Sequence, residues 1–168
     1  MSNFDRITGE QKKSIRNHGI IAVVLILIGV VVSIGKQVSG YISAILGVIL
    51  LITVWSQYKS YSREINKVRD NLEQFKKEVD NGKVYDAFGV VLTPNYAVVE
   101  GRELHIYKLK TMKKFEVGIE EKIRKALFLT DKEGKRYQIA ETYTGDGRQE
   151  QFDILYGDLK DYFRKRHR

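Results

Sequence analysis

Cysteine is absent from this chain of 168 residues, and proline occurs once, at Pro94. Without cysteine there is no disulfide framework, no thiolate metal centre and no cysteine nucleophile, and nothing calls for an oxidising compartment. Charge is missing too, but only locally. Between Gly19 and Ser56 the one charged residue is Lys36, whereas the rest of the chain is charge-rich and the whole carries a formal net charge of +8. No G-x-S-x-G, phosphate loop or H-E-x-x-H is present, and His18, His105 and His167 are too scattered to suggest a metal site. The carboxylates Glu120, Glu121, Asp158 and Asp161 fall in lysine-rich or helical surface contexts. The sequence therefore gives no reason to expect an enzyme, a catalytic residue, a bound metal or a cofactor.

Two uninterrupted apolar runs are present: "GIIAVVLILIGVVVSIG" at 19–35 and "VSGYISAILGVILLITVW" at 38–55, separated by Lys36 and Gln37. Each is close to the roughly 18 residues that mark a membrane-spanning helix, and at ~1.5 Å per residue each gives about 26 Å of span. The remaining chain is too small and too polar to wrap two helices that are apolar on all sides. A transmembrane hairpin over 19–56 is the expectation, with Asn17, His18, Trp55, Tyr58 and Lys59 at the water boundaries. A cleaved signal peptide fits less well, because no A-x-A-like site follows the first run. Arg6, Lys12, Lys13 and Arg16 precede the hairpin and Lys59 and Arg63 follow it, so the positive-inside rule puts both termini, including segment 1–18, in the cytoplasm of a two-span cell-membrane protein. Small residues four apart, Gly29 with Ser33, Gly40 with Ala44 and Ser43 with Gly47, suit close approach of the two helices.

Residues 57–81 have apolar side chains at Tyr58, Tyr61, Ile65, Val68, Leu72, Phe75 and Val79, a heptad seam of alternating three and four. They read as a helical stalk that continues from the second span and ends at "DNG", 80–82. The seam leaves three alternatives open: a homodimeric coiled coil, packing on the chain's own downstream domain, or packing on the N-terminal segment through Phe4, Ile7 and Ile15.

Residues 82–168 read as a small domain of antiparallel strands closed by a helix. "VYDAFGVVLT" reads as an opening strand that stops at Pro94, "NYAVVEG" as the next, and "LHIYKLK" comes after a turn. "KALFLTDKEGKRYQIAETY" reads as a hairpin about Asp131 to Gly134. "TGDGRQE" has the composition of a flexible loop, with an anion cradle as the weaker reading and with Thr144 or Asp146 available to cap a helix after it. That amphipathic helix, over about 149–165, presents Phe152, Leu155, Tyr156, Leu159, Tyr162 and Phe163 on one face, and Gly157 weakens it unless it permits close packing. The fold class is α+β: a transmembrane hairpin, a stalk, then an antiparallel β domain with a C-terminal helix.

In that order of elements, and in "GVVLTPNYAVVEGRELHIYKLKTMKKFEV" and "LFLTDKEGKRYQIA", the chain resembles bacterial small membrane proteins with a cytoplasmic pleckstrin-homology-like (PH-like) domain after a two-helix hairpin. The resemblance covers most of residues 80–165. It implies a curved antiparallel sheet or partly closed barrel plugged by the C-terminal helix, and it implies no catalytic residues.

Charge supplies the candidate contacts. Lys83 to Arg168 holds 18 Lys and Arg against 14 Asp and Glu, too small a surplus, without a reader motif, to suggest nucleic acid. Lys108, Lys110, Lys113 and Lys114 cluster, as do Arg164, Lys165 and Arg166. Tethered beside an anionic leaflet, each near-surface cation gains about 1 kcal/mol; the bland alternative is lysine that keeps a strand edge soluble. The expected partners are the lipid bilayer, anionic headgroups or a protein, with a stalk homodimer as the alternative role.

Overall fold

The computed structural model describes residues 2–35, 38–120 and 123–166, except for the side chains of Glu120 and Arg166. The expected turn at Lys36 and Gln37 lies outside the described residues. The chain divides into two compact units, Met1–Asp70 and Asn71–Arg168.

The first unit is a pair of helices, α1 (Asn3–Ile34) and α2 (Val38–Asn66), both long and apolar enough to cross a membrane. Ser2 caps α1 by accepting the Asp5 N–H at 3.1 Å. The helices meet through small residues. Ala22, Gly29, Gly40 and Gly47 are buried, while Leu27, Val31, Ile45, Ile52 and Trp55 are largely exposed. A Cβ on Gly29 would stand 2.5 Å from the Ala44 nitrogen, and one on Gly40 would stand 2.5 Å from that of Ser33. The approach lets Ser43 Oγ donate across the pair to the Leu25 carbonyl at 3.0 Å. Farther along, Ile7, Thr8 and Gln11 of α1 and Glu64 of α2 are buried, and Glu64 accepts from Lys67 Nζ at 2.5 and 2.6 Å.

A single helix through residues 57–81 is not what forms. α2 ends at Asn66, a 3₁₀ turn covers Arg69–Asn71, and α3 runs from Leu72 to Asp80. The Lys67 and Val68 N–H groups reach back only three residues, to Glu64 O and Ile65 O. Asn66, Asp70 and Asn71, residues of low helix propensity, fall at this point.

In the second unit, β1 (Lys83–Tyr85), β2 (Val90–Leu92), β3 (Tyr96–Glu100) and β4 (Leu104–Lys108) form one antiparallel sheet in chain order. "VYDAFGVVLT" is thus two strands, not one: a 3₁₀ turn at Asp86–Phe88 folds it into a hairpin that pairs Lys83 with Leu92. Gly89 ends that turn at φ +60°, where a Cβ would collide with the Glu100 carbonyl oxygen, so glycine is required. A 3₁₀ turn at Leu109–Thr111 leads to the second antiparallel sheet, β5 (Met112–Glu120), β6 (Arg124–Asp131) and β7 (Arg136–Tyr143). The expected hairpin is β6–β7. α4 (Gln149–Arg166) closes the domain.

Alternation sorts the side chains of the first sheet. Tyr85, Val90, Leu92, Ala97, Tyr107 and Leu109 enter a core with Leu127, Leu129, Ile139 and Ala140 of the second sheet. Ile139 and Ala140 are consecutive yet both buried, because a bulge in the β6–β7 ladder skips Ile139. α4 supplies Phe152, Leu155, Leu159 and Phe163 to this core, with Tyr156 and Tyr162 packed beside it, the face expected for an amphipathic helix. On the opposite face of the first sheet, α3 sets Phe75 edge-on to Tyr96 at 4.9 Å. Phe75 and Val79, two of the seven seam residues, are therefore core of this unit.

Candidate functional site

The basic residues of "YKLKTMKK" occupy a connection whose backbone decides which of them converge. Lys110 is the middle residue of the 3₁₀ turn Leu109–Thr111, which Thr111 Oγ1 closes by donating to the Lys108 carbonyl at 2.8 Å. Lys113 is the extra residue of a bulge: Met112 pairs with Asp131 and Lys114 with Thr130, so Lys113 has no partner on β6. In a regular strand Met112 and Lys113 would point to opposite faces. The bulge re-aims the chain, and both line one cleft of about 560 Å³.

Other elements complete this cleft. Lys132 comes from the β6–β7 turn, Asn95 from the β2–β3 turn and Phe163 from α4, with Leu109 beneath. The Leu109 N–H donates to the Asn95 carbonyl at 2.9 Å and ties two of these connections together. Asn95 Nδ2 is anchored on Glu78 at 3.0 and 3.1 Å. Asp131 braces the turn that carries Lys132: it accepts the Glu133 and Lys135 N–H groups, each at 2.9 Å, and the Tyr137 hydroxyl at 2.8 Å. The Tyr137 hydrogen bond outweighs burial and, with those backbone donors, holds the Asp131 carboxyl below its usual range.

The cleft is cationic at its rim. Among the described residues Lys110, Lys113 and Lys132 have no ion-pair partner, and all three are exposed. Other cations from the same clusters are committed elsewhere: Lys114 pairs with Glu116 at 2.6 Å and Arg164 with Asp161 at 3.3 Å. The Lys114 hydrogen bond, with the charges of Lys114 and Arg136, holds Glu116 below its ordinary range despite burial. Lys108 is half-buried and Lys165 exposed, both outside the cleft lining, and the Arg166 side chain lies outside the described residues. Two of the seven basic residues singled out from sequence, Lys110 and Lys113, thus meet here. Lys132 is the cation that sequence reasoning missed. It sits in a turn that was recognisable as a turn, but only tertiary folding brings it to the other two.

The remaining shifted groups hold the domain together. Asp158 on α4 accepts from Lys83 Nζ at 2.5 Å and from the Tyr85 hydroxyl, fastening α4 to β1. Burial, then the hydrogen bond to Asp158, pushes the Tyr85 phenol up; burial opposes ionisation of Asp158, but the two donors and the Lys83 charge lower it overall. "TGDGRQE" is an ordered turn and not a flexible loop. Gly145 at φ +87° and Gly147 at φ +73° let Asp146 accept from Tyr143 N at 2.8 Å, Arg148 N at 2.9 Å and Thr142 Oγ1 at 2.8 Å. The donors suited to cradling an external anion serve this internal carboxylate instead. The backbone bond from Tyr143 leads the interactions that hold it far below its usual range, against the cost of burial. Among the described residues no three His, Asp or Glu side chains gather as a metal site, and His105 instead stacks on Tyr107 at 6.1 Å.

No family model matches the chain, and a search of curated proteins finds no match.

Proposed function

We propose that this is a two-span integral membrane protein whose cytoplasmic β domain is a PH-like, non-enzymatic module that binds the anionic headgroups of a lipid surface. The gathering of Lys110, Lys113 and Lys132 at one cleft, without a carboxylate partner among the described residues, carries the reading. Three unneutralised ammonium groups favour an anion, and tethering to a membrane raises the local concentration of anionic lipid. The hairpin supports the membrane placement: small residues face inward and large apolar ones outward, the reverse of a helix pair packed in water. Basic residues at both water-facing ends, Arg6, Lys12, Lys13, Arg16, Lys59 and Arg63, favour cytoplasmic termini. Antiparallel sheets followed by a closing helix agree with what the PH-like resemblance implies. The shifted carboxyls are engaged in fastening turns and strands, which favours a binding role over catalysis.

The alternative of a stalk homodimer finds less support. Phe75 and Val79 are each 1% exposed and Val68 2%, so a full seam would have to pull them out of their present packing.

The test holds the full chain in neutral nanodiscs and measures its co-sedimentation with vesicles. Capture by phosphatidylserine-containing vesicles and not by phosphatidylcholine vesicles is expected. Equal capture by the two would end the proposal.

A further inference from the structure

We infer that the cleft selects one class of headgroup, a phosphate monoester carried on an apolar chain, as in a membrane lipid with a terminal phosphate. The inference rests on the lipid-binding reading above and narrows it. Two features of the lining carry it. First, Lys110 and Lys113 at the β4–β5 connection and Lys132 in the β6–β7 turn supply three positive point charges, each with three rotatable donors. A phosphate monoester carries about −1.5 to −2 charge near pH 7 and presents three acceptor oxygens. A phosphodiester such as phosphatidylserine brings its phosphate charge buried between two esters and offers fewer free oxygens to the same three amines.

Second, the cleft is not a bare cationic patch. Met112 is partly exposed and Phe163 and Leu109 lie beneath, so the cations border an apolar floor. The Lys113 bulge makes this combination: it places the Met112 thioether and the Lys113 amine, neighbours in sequence, in the same cleft. Methionine is a polarizable, adaptable contact for an irregular apolar ligand. An inorganic anion would leave this floor unused. A chain attached to the phosphate would cover it, and each methylene fully buried there is worth roughly fourfold in affinity. A volume of about 560 Å³ holds a headgroup and the first few methylenes. The domain follows two helices long and apolar enough to cross a membrane, which favours a lipid over a freely diffusing ligand.

The chain has only two methionines, Met1 and Met112, so labelling methionine methyl groups with carbon-13 gives a reporter in the cleft with a single other signal beside it. With the full chain in phosphatidylcholine nanodiscs, hexyl phosphate should shift the Met112 signal saturably and bind at least about fivefold tighter than ethyl phosphate, a small part of the limit for four buried methylenes. Hexyl glucoside should leave that signal in place. Lys132→Gln and Lys110→Gln, both at exposed positions, should each weaken hexyl phosphate at least about threefold while leaving the thermal unfolding midpoint of the chain in place. In a second arm, vesicles containing phosphatidic acid should capture the nanodiscs better than vesicles of equal surface charge made with phosphatidylserine. Equal binding of ethyl and hexyl phosphate, a Met112 shift with hexyl glucoside, or equal capture by the two charge-matched vesicles would overturn the inference while leaving the general anionic-lipid reading standing. Capture by neither anionic vesicle would overturn both.

Discussion

Replacing Gly29 by alanine adds one methyl group where the two long helices touch, and the geometry sets its cost. The new Cβ would lie 2.5 Å from the Ala44 nitrogen and 2.8 Å from its Cα and Cβ, whereas ordinary contact begins at 3.4 Å. Relief requires the helices to part locally by about 0.9 Å. One turn away, the Ser43 to Leu25 hydrogen bond of 3.0 Å would stretch beyond useful length. Overpacking of this kind costs about 1–3 kcal/mol, and a hydrogen bond between membrane helices is worth about 0.6 kcal/mol. The expected loss is therefore about 2 kcal/mol, roughly thirtyfold in the equilibrium between paired and separated helices. Gly19→Ala is the control, since its nearest neighbour would be Val54 Cγ1 at 3.8 Å. Because the natural chain has no cysteine, a dye pair can be placed at Asn17→Cys and Tyr58→Cys alone. Helix separation is then followed by energy transfer during a dodecyl sulfate titration in micelles. If Gly29→Ala separates at the same detergent fraction as Gly19→Ala, the small-residue seam is not what holds the helices together.

The other predictions concern the β domain, residues Asn71–Arg168, followed by thermal unfolding. A Cβ at Gly157 would meet nothing within 4 Å, so Gly157→Ala should stabilise α4 by about 0.5–1 kcal/mol and raise Tm by a few degrees; a lower Tm would mean the glycine has a packing role. Tyr85→Phe deletes the hydroxyl that Asp158 accepts and should cost about 1.5–3 kcal/mol, the range for a hydrogen bond to a charged group; no change in Tm would remove that contact from the account. Asp146 has a lowered folded pKa, so its contribution is complete above about pH 5 and is lost as pH falls below the unfolded value of about 3.9. Asp146→Asn should therefore be less stable than the natural chain at pH 7 and converge on it as pH falls toward 2, whereas a constant gap across that range would contradict the sign.

Local pattern made much of this architecture readable in the sequence. The two apolar runs lie within α1 and α2, although α1 also takes in most of segment 1–18; the apolar stripe of "QFDILYGDLKDYF" became the buried face of α4, and the turn residues between "KALFLT" and "RYQIA" became the β6–β7 turn. What escaped is where the backbone breaks or folds back, and which distant segments meet. The heptad seam gives the spacing of apolar residues but not the continuity of the backbone, so it passes through the break after Asn66 without registering it. "VYDAFGVVLT" has strand composition throughout, and only the close approach of Gly89 to Glu100 shows why it must fold back. At the cleft, clustering in sequence pointed to Lys110 and Lys113 but equally to Lys108 and Lys114. The bulge and the partner carboxylates separate them, and neither is visible in composition.

The central claim is that anionic lipid is bound at a place and not merely by charge. The most direct measurement compares two triple variants of the full chain in neutral nanodiscs, each losing three cations. Lys110→Gln, Lys113→Gln and Lys132→Gln empty the cleft rim; Lys108→Gln, Arg164→Gln and Lys165→Gln remove charge from positions outside its lining. In capture by anionic vesicles at fixed salt, the first variant should lose at least about tenfold in affinity and the second should stay within about threefold, the cost of weakened long-range attraction. Equal losses in the two variants would contradict the account, because binding would then follow total charge and not the cleft.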